Sequence, residues 1–188
     1  MIDLVFEKFP SIKRLKRGCT ITEKLDGTNA QVLFNEEGGI LCGSRNRVIT
    51  PDDDNYGFAA WAYERKEEMF ELLGKGRHFG EWWGQGIQRR YGMDRKMFSL
   101  FNTARWANDD PAKLLAVDGL GTVPILYQGE FDTLAIDQTM TKLFDNGSYA
   151  TEHEYRNPEG IVIWHDALRS LSKITFDHDE TGKPEGVV

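Results

Sequence analysis

Apolar and polar residues alternate over several short stretches of the chain, and in two places apolar residues recur at three- and four-residue spacing. TITEK (20–24), AQVLF (30–34) and GILCGS (39–44) are β-type runs separated by Gly- and Asn-containing turns, which predicts an antiparallel meander. Between residues 57 and 73, Phe58, Trp61, Ala62, Met69, Leu72 and Leu73 fall on one face of an amphipathic helix stopped by Gly74, with Glu64, Lys66, Glu67 and Glu68 on the wet face. RHFGEWW (77–83), MFSLFNTA (97–104) and VPILYQG (123–129) are strand-like again, and residues 132–144 predict a helix closed by Asn146-Gly147. GIVIWH (160–165) and LSKITFD (171–177) predict a last strand pair. Many short strands with few helices point to an α+β domain built on antiparallel sheets. Residues 1–188 read as a single domain, with 177–188 a polar tail.

A chain of 188 residues can bury roughly two-thirds of its unfolded surface without staples. Its 40% hydrophobic and 28% charged content exclude general disorder. Cys19 and Cys42 have no C-x-x-C spacing, which argues against a metal site or disulfide framework and for a reducing, cytoplasmic setting, the host's cytoplasm if the source is a phage. Acids inside the early apolar stretch and bases after it are the wrong order for a secretory signal, and no run is apolar enough to span a bilayer, so no membrane partner is expected. The net charge of −7 argues against unspecific binding to polyanions. Two clusters, Lys13, Arg14, Lys16 and Arg17, then Arg89, Arg90, Arg95 and Lys96, are either local basic patches or solvated charges.

Candidate chemistry starts at EKLDGTN (23–29), where Lys24 stands at the end of a strand and the start of a tight turn. A free lysine has a pKa of about 10.4, so Lys24 is either a solvated turn charge or a nucleophile whose proton must be removed. Gly27 allows the backbone to approach a ligand closely. In FGEWWG (79–84), Glu81 lies among aromatic and glycine neighbours, where a carboxylate must accept hydrogen bonds, bind a cation or hydroxyl, or pair with a base such as Arg77. Glu159, in EGIVIW (159–164), either projects from the open end of a buried strand or is a simple turn residue after Pro158. Lys173 sits between apolar residues of LSKITF. Two lysines and two glutamates at strand ends suit a triphosphate with its divalent metal. His78, His153, His165 and His178 share no metal-ligand spacing, and Trp82 and Trp83 suit packing.

K-x-D-G at 24–27, S-R-N at 44–46, F-G-E at 79–81, E-G-I-V-I at 159–163 and the lysine strand at 171–176 resemble, in order, the motifs of the covalent nucleotidyltransferase superfamily of RNA ligases, DNA ligases and capping enzymes. EKLDGTN is most similar to the phage-type and RNA-editing-type branch of ATP-dependent RNA ligases. The resemblance runs from about residue 20 to 176 and implies an antiparallel-sheet adenylation domain using ATP with magnesium or manganese; the short stretch after the last motif leads to the expectation of no appended OB-fold.

It further implies that Lys24 attacks the α-phosphorus of ATP to form a lysine-AMP adduct, with Lys173 and the metal disfavouring the lysine's ammonium form. By the same resemblance Glu159 organises the metal, Glu23 reads the adenine edge, and Arg45 and Glu81 contact the ribose or the phosphates. Asn29 positions the nucleotide or the strand end. Phe101 stacks on the purine, with Phe98 as the alternative. AMP would pass to an RNA 5′-phosphate and be expelled by a 3′-hydroxyl, with DNA as an alternative substrate. Three features depart from the family pattern: Thr175 stands where a second lysine is usual, Asn102 stands where an acid is frequent, and about a dozen residues follow the last motif. Substrate would then be gripped by the Arg89, Arg90, Arg95 and Lys96 patch or by a partner protein. The alternatives are a DNA ligase-like core, a GTP-using capping-type core, and a non-catalytic nucleotide- or nucleic-acid-binding protein of the same fold.

Overall fold

Strand alternation governs the first half of the chain. In the computed structural model, which describes residues 8–9, 17–106 and 111–177, β1 (Gly18–Lys24) turns Cys19, Ile21 and Glu23 inward and leaves the intervening residues half-buried. Lys13, Arg14, Lys16, His178 and the tail beyond Asp177 lie outside the described residues. The meander continues through β2 (Thr28–Phe34), β3 (Ile40–Ser44) and the two-residue β4 (Val48–Ile49). The predicted helix at 57–73 is two helices, α1 (Phe58–Glu64) and α2 (Lys66–Leu73). They part at Arg65, whose guanidinium donates to the Trp61 carbonyl that an unbroken helix would give to a backbone amide.

β5 (Gly76–Gly84) matches the expected strand closely, whereas β6 (Lys96–Leu100) ends four residues before the predicted limit. The cause is Asn102, whose side-chain oxygen accepts from the Arg105 amide at 3.2 Å and starts the short helix α3 (Thr103–Trp106). A 3₁₀ turn follows at Pro111–Ala116. The run predicted as one strand at 123–129 is preceded by β7 (Leu120–Thr122) and enters β8 (Ile125–Glu130) only after Pro124, which has no amide to offer a ladder. α4 (Thr133–Asn146) is capped by the Asp132 carboxylate on the Leu134 amide and stops at Gly147, whose φ is 80°. β9 (Gly160–His165) and β10 (Ser170–Thr175) form the expected final pair.

These strands assemble into two sheets, four-stranded in the order β10-β9-β1-β8 and six-stranded in the order β4-β3-β2-β5-β6-β7, antiparallel except for β6 with β7. The six-stranded sheet packs Val32, Phe34, Trp82, Phe98 and Leu100 against Phe58, Ala62, Met69 and Leu73 of the helices α1 and α2. The four-stranded sheet packs Ile21, Ile161 and Ile163 against Ile136 and Leu143 of α4. A third cluster, Leu25, Trp83, Tyr91 and Val123, joins the two. Each sheet therefore spends one face on helices and leaves the other for the site. The expected α+β architecture with antiparallel-rich sheets is the one found.

Candidate active site

Lys24 ends β1 in register with Gly160 of β9, which in turn is opposite Thr175 of β10. Its ammonium lies 2.6 Å from Glu159 Oε1, with the two side chains only 23% and 17% exposed. Glu159 Oε2 is buried and has no hydrogen-bond partner. Lys173 is in register with Val162 and so with Thr22, two residues back along β1 from Lys24. It therefore stands on the same sheet face as Lys24, about 12 Å away across two strands, and is exposed. The position in line with Lys24 belongs to Thr175, the residue that replaces the usual second lysine.

The other wall comes from the six-stranded sheet. Asn29, Glu81 and Ser99 are in register across β2, β5 and β6, so all three side chains point to the face away from the helices. Glu81 is 8% exposed and accepts from Asn29 Nδ2 at 2.9 Å; Arg77 instead bonds Gln31 and lies over the Phe79 ring. Burial pushes the Glu81 carboxyl up to about 7, against the lowering effects of Asn29, Lys24 and the Gly27 amide, and with a further raising contribution from Glu159. Lys24 and Glu159 act electrostatically on Glu81, which brings the two sheet faces together at one mouth.

Alternation also separates the aromatic candidates. Phe98 is fully buried against Phe58 and Trp61, while Phe101, whose amide donates to Phe79 O, is 42% exposed beside the more open Phe79. Arg45 is exposed in the β3–β4 turn and has no hydrogen bond or ion pair among the described residues. Trp82 and Trp83 are packing residues, their indoles bonded to Tyr56 O and Ser99 Oγ.

Glu23, the neighbour of Lys24 in β1, points to the opposite face of the sheet. It is 1% exposed, and one oxygen accepts from the Tyr149 amide at 2.7 Å, fixing the loop after α4. Burial raises its pKa, opposed by the Ser148 hydroxyl and the Tyr149 and Ala150 amides. In the basic cluster Arg89 pairs with Asp26 and Asp177, Arg95 pairs at the surface with Asp118, and Lys96 donates to Tyr56 O. Sequence reading missed Asp26, Arg89 and Tyr91 as one group; the only signal is the polar and glycine-bounded run GQGIQRRYG between two strands.

The family model for RNA ligase matches residues 18–188. The chain belongs to the RNA ligase family. No curated protein matches it. Among solved structures, this family member is similar to Naegleria gruberi RNA ligase in a variant with ATP and manganese (TM-score 0.61, 20% identity), in another with AMP and manganese (0.60, 20%) and in an apo variant (0.60, 20%). The matches cover 85% of this chain and 50%, 49% and 49% of those chains. That likeness establishes the fold of the RNA ligase adenylation domain. This RNA ligase family chain spans about half the length of the structures it matches.

Proposed function

We propose that the chain is an ATP-dependent RNA ligase whose nucleophile is Lys24. The observation that carries this reading is the mouth itself: Lys24 paired with Glu159 on one wall, and Asn29 with Glu81 on the other. In the first step the Lys24 amine gives up its proton and bonds to the α-phosphorus of ATP as the bond to pyrophosphate breaks. Lys173, on the same face, meets phosphate oxygens. Asn29 and Glu81 face the ribose and the phosphates, Arg45 reaches in from the β3–β4 turn, and Phe101 is the exposed ring available to the purine. AMP then passes from Lys24 to an RNA 5′-phosphate, and a 3′-hydroxyl displaces it.

A divalent metal fits the residues present. Among the described residues no group of three or more His, Cys, Asp or Glu is placed to hold one unaided. Magnesium and manganese in nucleotide sites need only one or two carboxylates, the rest of the shell coming from phosphates and water. The unpartnered Oε2 of Glu159 is such a ligand. The ion's charge would disfavour an ammonium beside it and offset charge on the phosphates.

Intact-mass spectrometry after treatment with ATP and manganese tests the reading. Wild type is expected to gain one AMP. Lys24→Ala should gain none, and Lys24→Arg should also fail because guanidinium stays protonated. A GTP arm that labels the protein in place of ATP would overturn the choice of nucleotide, and an adduct surviving in Lys24→Ala would overturn the nucleophile. Adduct transfer to a 5′-phosphorylated RNA with a 3′-hydroxyl acceptor, read on a denaturing gel with a DNA control, tests the substrate class.

A further inference from the structure

One guanidinium touches all three segments that carry the lysines and the metal-binding glutamate. Arg89 Nε donates to Asp26 Oδ2 at 3.1 Å, and Asp26 is two residues beyond Lys24. Its second nitrogen donates to Asn157 O at 3.4 Å, two residues before Glu159. Its third pairs with Asp177, four residues beyond Lys173. The Arg89 side chain is only 15% exposed, and its own carbonyl accepts from the Tyr155 hydroxyl at 3.2 Å. Holding it there requires an unusual backbone. Gln88, Arg90 and Tyr91 have φ of 42°, 60° and 50°, left-handed values that non-glycine residues adopt at a cost and keep only where the surroundings over-determine them. The surroundings do so: Tyr91 is fully buried, its ring is 5.1 Å from Trp83 and 4.7 Å from Tyr155, and its hydroxyl oxygen accepts the Asp26 amide at 2.9 Å.

We propose that Arg89 is a positioning residue that sets the mutual spacing of Lys24, Glu159 and Lys173 through Asp26, Asn157 and Asp177. The inference rests on the reading of these three residues as the adenylation machinery. Arginine suits the task because its planar fork presents five donors in fixed directions, so one side chain serves three acceptors; a lysine ammonium has the charge but not the fork. Loss of the tie leaves Lys24 and Lys173 on their strands and Glu159 just ahead of β9, and frees their spacing. Such a change lowers the rate at saturating ATP more than it weakens ATP binding, and misplacement by about 1 Å costs on the order of 100-fold in rate.

The test compares wild type, Arg89→Ala, Arg89→Lys and Asp177→Asn in single-turnover adenylation across ATP concentrations, with hydrogen exchange measured on the nucleotide-free proteins. In Arg89→Ala the maximal rate is expected to fall about 100-fold with the ATP half-saturation changed less than about threefold. Arg89→Lys should recover only a small part, Asp177→Asn should lose less, and methylguanidinium should partly rescue Arg89→Ala. Exchange should rise together at residues 24–27 and 157–160 in Arg89→Ala, with β2 and β5 unchanged. An Arg89→Ala rate within about threefold of wild type, full activity in Arg89→Lys, or exchange confined to residues 85–93 would overturn the proposal. If Arg89→Ala fails to fold, Arg89→Lys and Asp177→Asn carry the same comparison. Failure of wild type to form any adduct sinks the ligase reading alone, because the exchange result judges the tie without it.

Discussion

At the scale of single residues, Glu81 couples the site to stability. Its carboxyl is raised from the ordinary 4.5 to about 7, chiefly by burial. Below pH 4.5 both the folded and the unfolded chain hold the proton, and the folded state bears no penalty. Between pH 4.5 and 7 the unfolded chain releases it first, so stability falls as pH rises and the loss is complete above 7. The shift corresponds to roughly 3 kcal/mol. Glu81→Gln removes the titration, so its stability relative to wild type should move in the variant's favour by about that amount between pH 4.5 and 8, read from urea unfolding at both pH values. A gap independent of pH would mean that Glu81 titrates in the folded protein as it does in the unfolded chain. The sequence shows that a carboxylate amid Phe, Trp and Gly needs a reason to be there, which made Glu81 visible as a candidate. It does not show the reason, because Asn29 is 52 residues away and meets Glu81 only through the β2–β5 register.

At the scale of elements, the turn between β1 and β2 fits closely against β5. Gly27 has no unusual backbone requirement, yet a Cβ there would meet the Trp82 carbonyl oxygen and stand 2.8 Å from Trp83 Cβ. Gly27→Ala must therefore push the turn off β5, at a cost of about 1–3 kcal/mol for overpacking, and carry Lys24 and Asp26 with it. The expected outcome is a lower thermal midpoint together with slow adenylation at temperatures where the variant is fully folded. Normal adenylation there would show that the turn tolerates displacement. Sequence patterning reached most strands because alternation and turn residues are local signals, as in TITEK and GIVIWH. It overran where a side chain captured the backbone. Arg65 breaks one predicted helix at the Trp61 carbonyl, and Asn102 ends β6 by capping α3. Glu23 shows a further limit: its partner, the Tyr149 amide, lies 126 residues along the chain, beyond any local signal.

At the scale of the whole molecule, the two sheets are unequal partners. Among the described residues, the cluster beneath the six-stranded sheet holds many buried aromatic and aliphatic side chains, while that beneath the four-stranded sheet consists of Cys19, Ile21, Ile136, Leu143, Ile161 and Ile163 with a few half-buried neighbours. So small a core does not stabilise a four-stranded sheet and one helix by itself. The junction of Leu25, Trp83, Tyr91 and Val123 makes the second sheet depend on the first, and urea should unfold both in one transition. A nucleotide held between the walls adds to that coupling, since Lys24 and Glu159 come from one sheet and Asn29 and Glu81 from the other. In a Lys24→Ala protein, which forms no adduct, ATP with manganese at 100 times its dissociation constant should raise the stability of β1 and β9 amides and of β2 and β5 amides alike, by about 2.7 kcal/mol. Hydrogen exchange resolves the two sheets. Protection gained in β2 and β5 alone would mean that the nucleotide is gripped by a single wall, and that the spacing set across the mouth has no part in holding it.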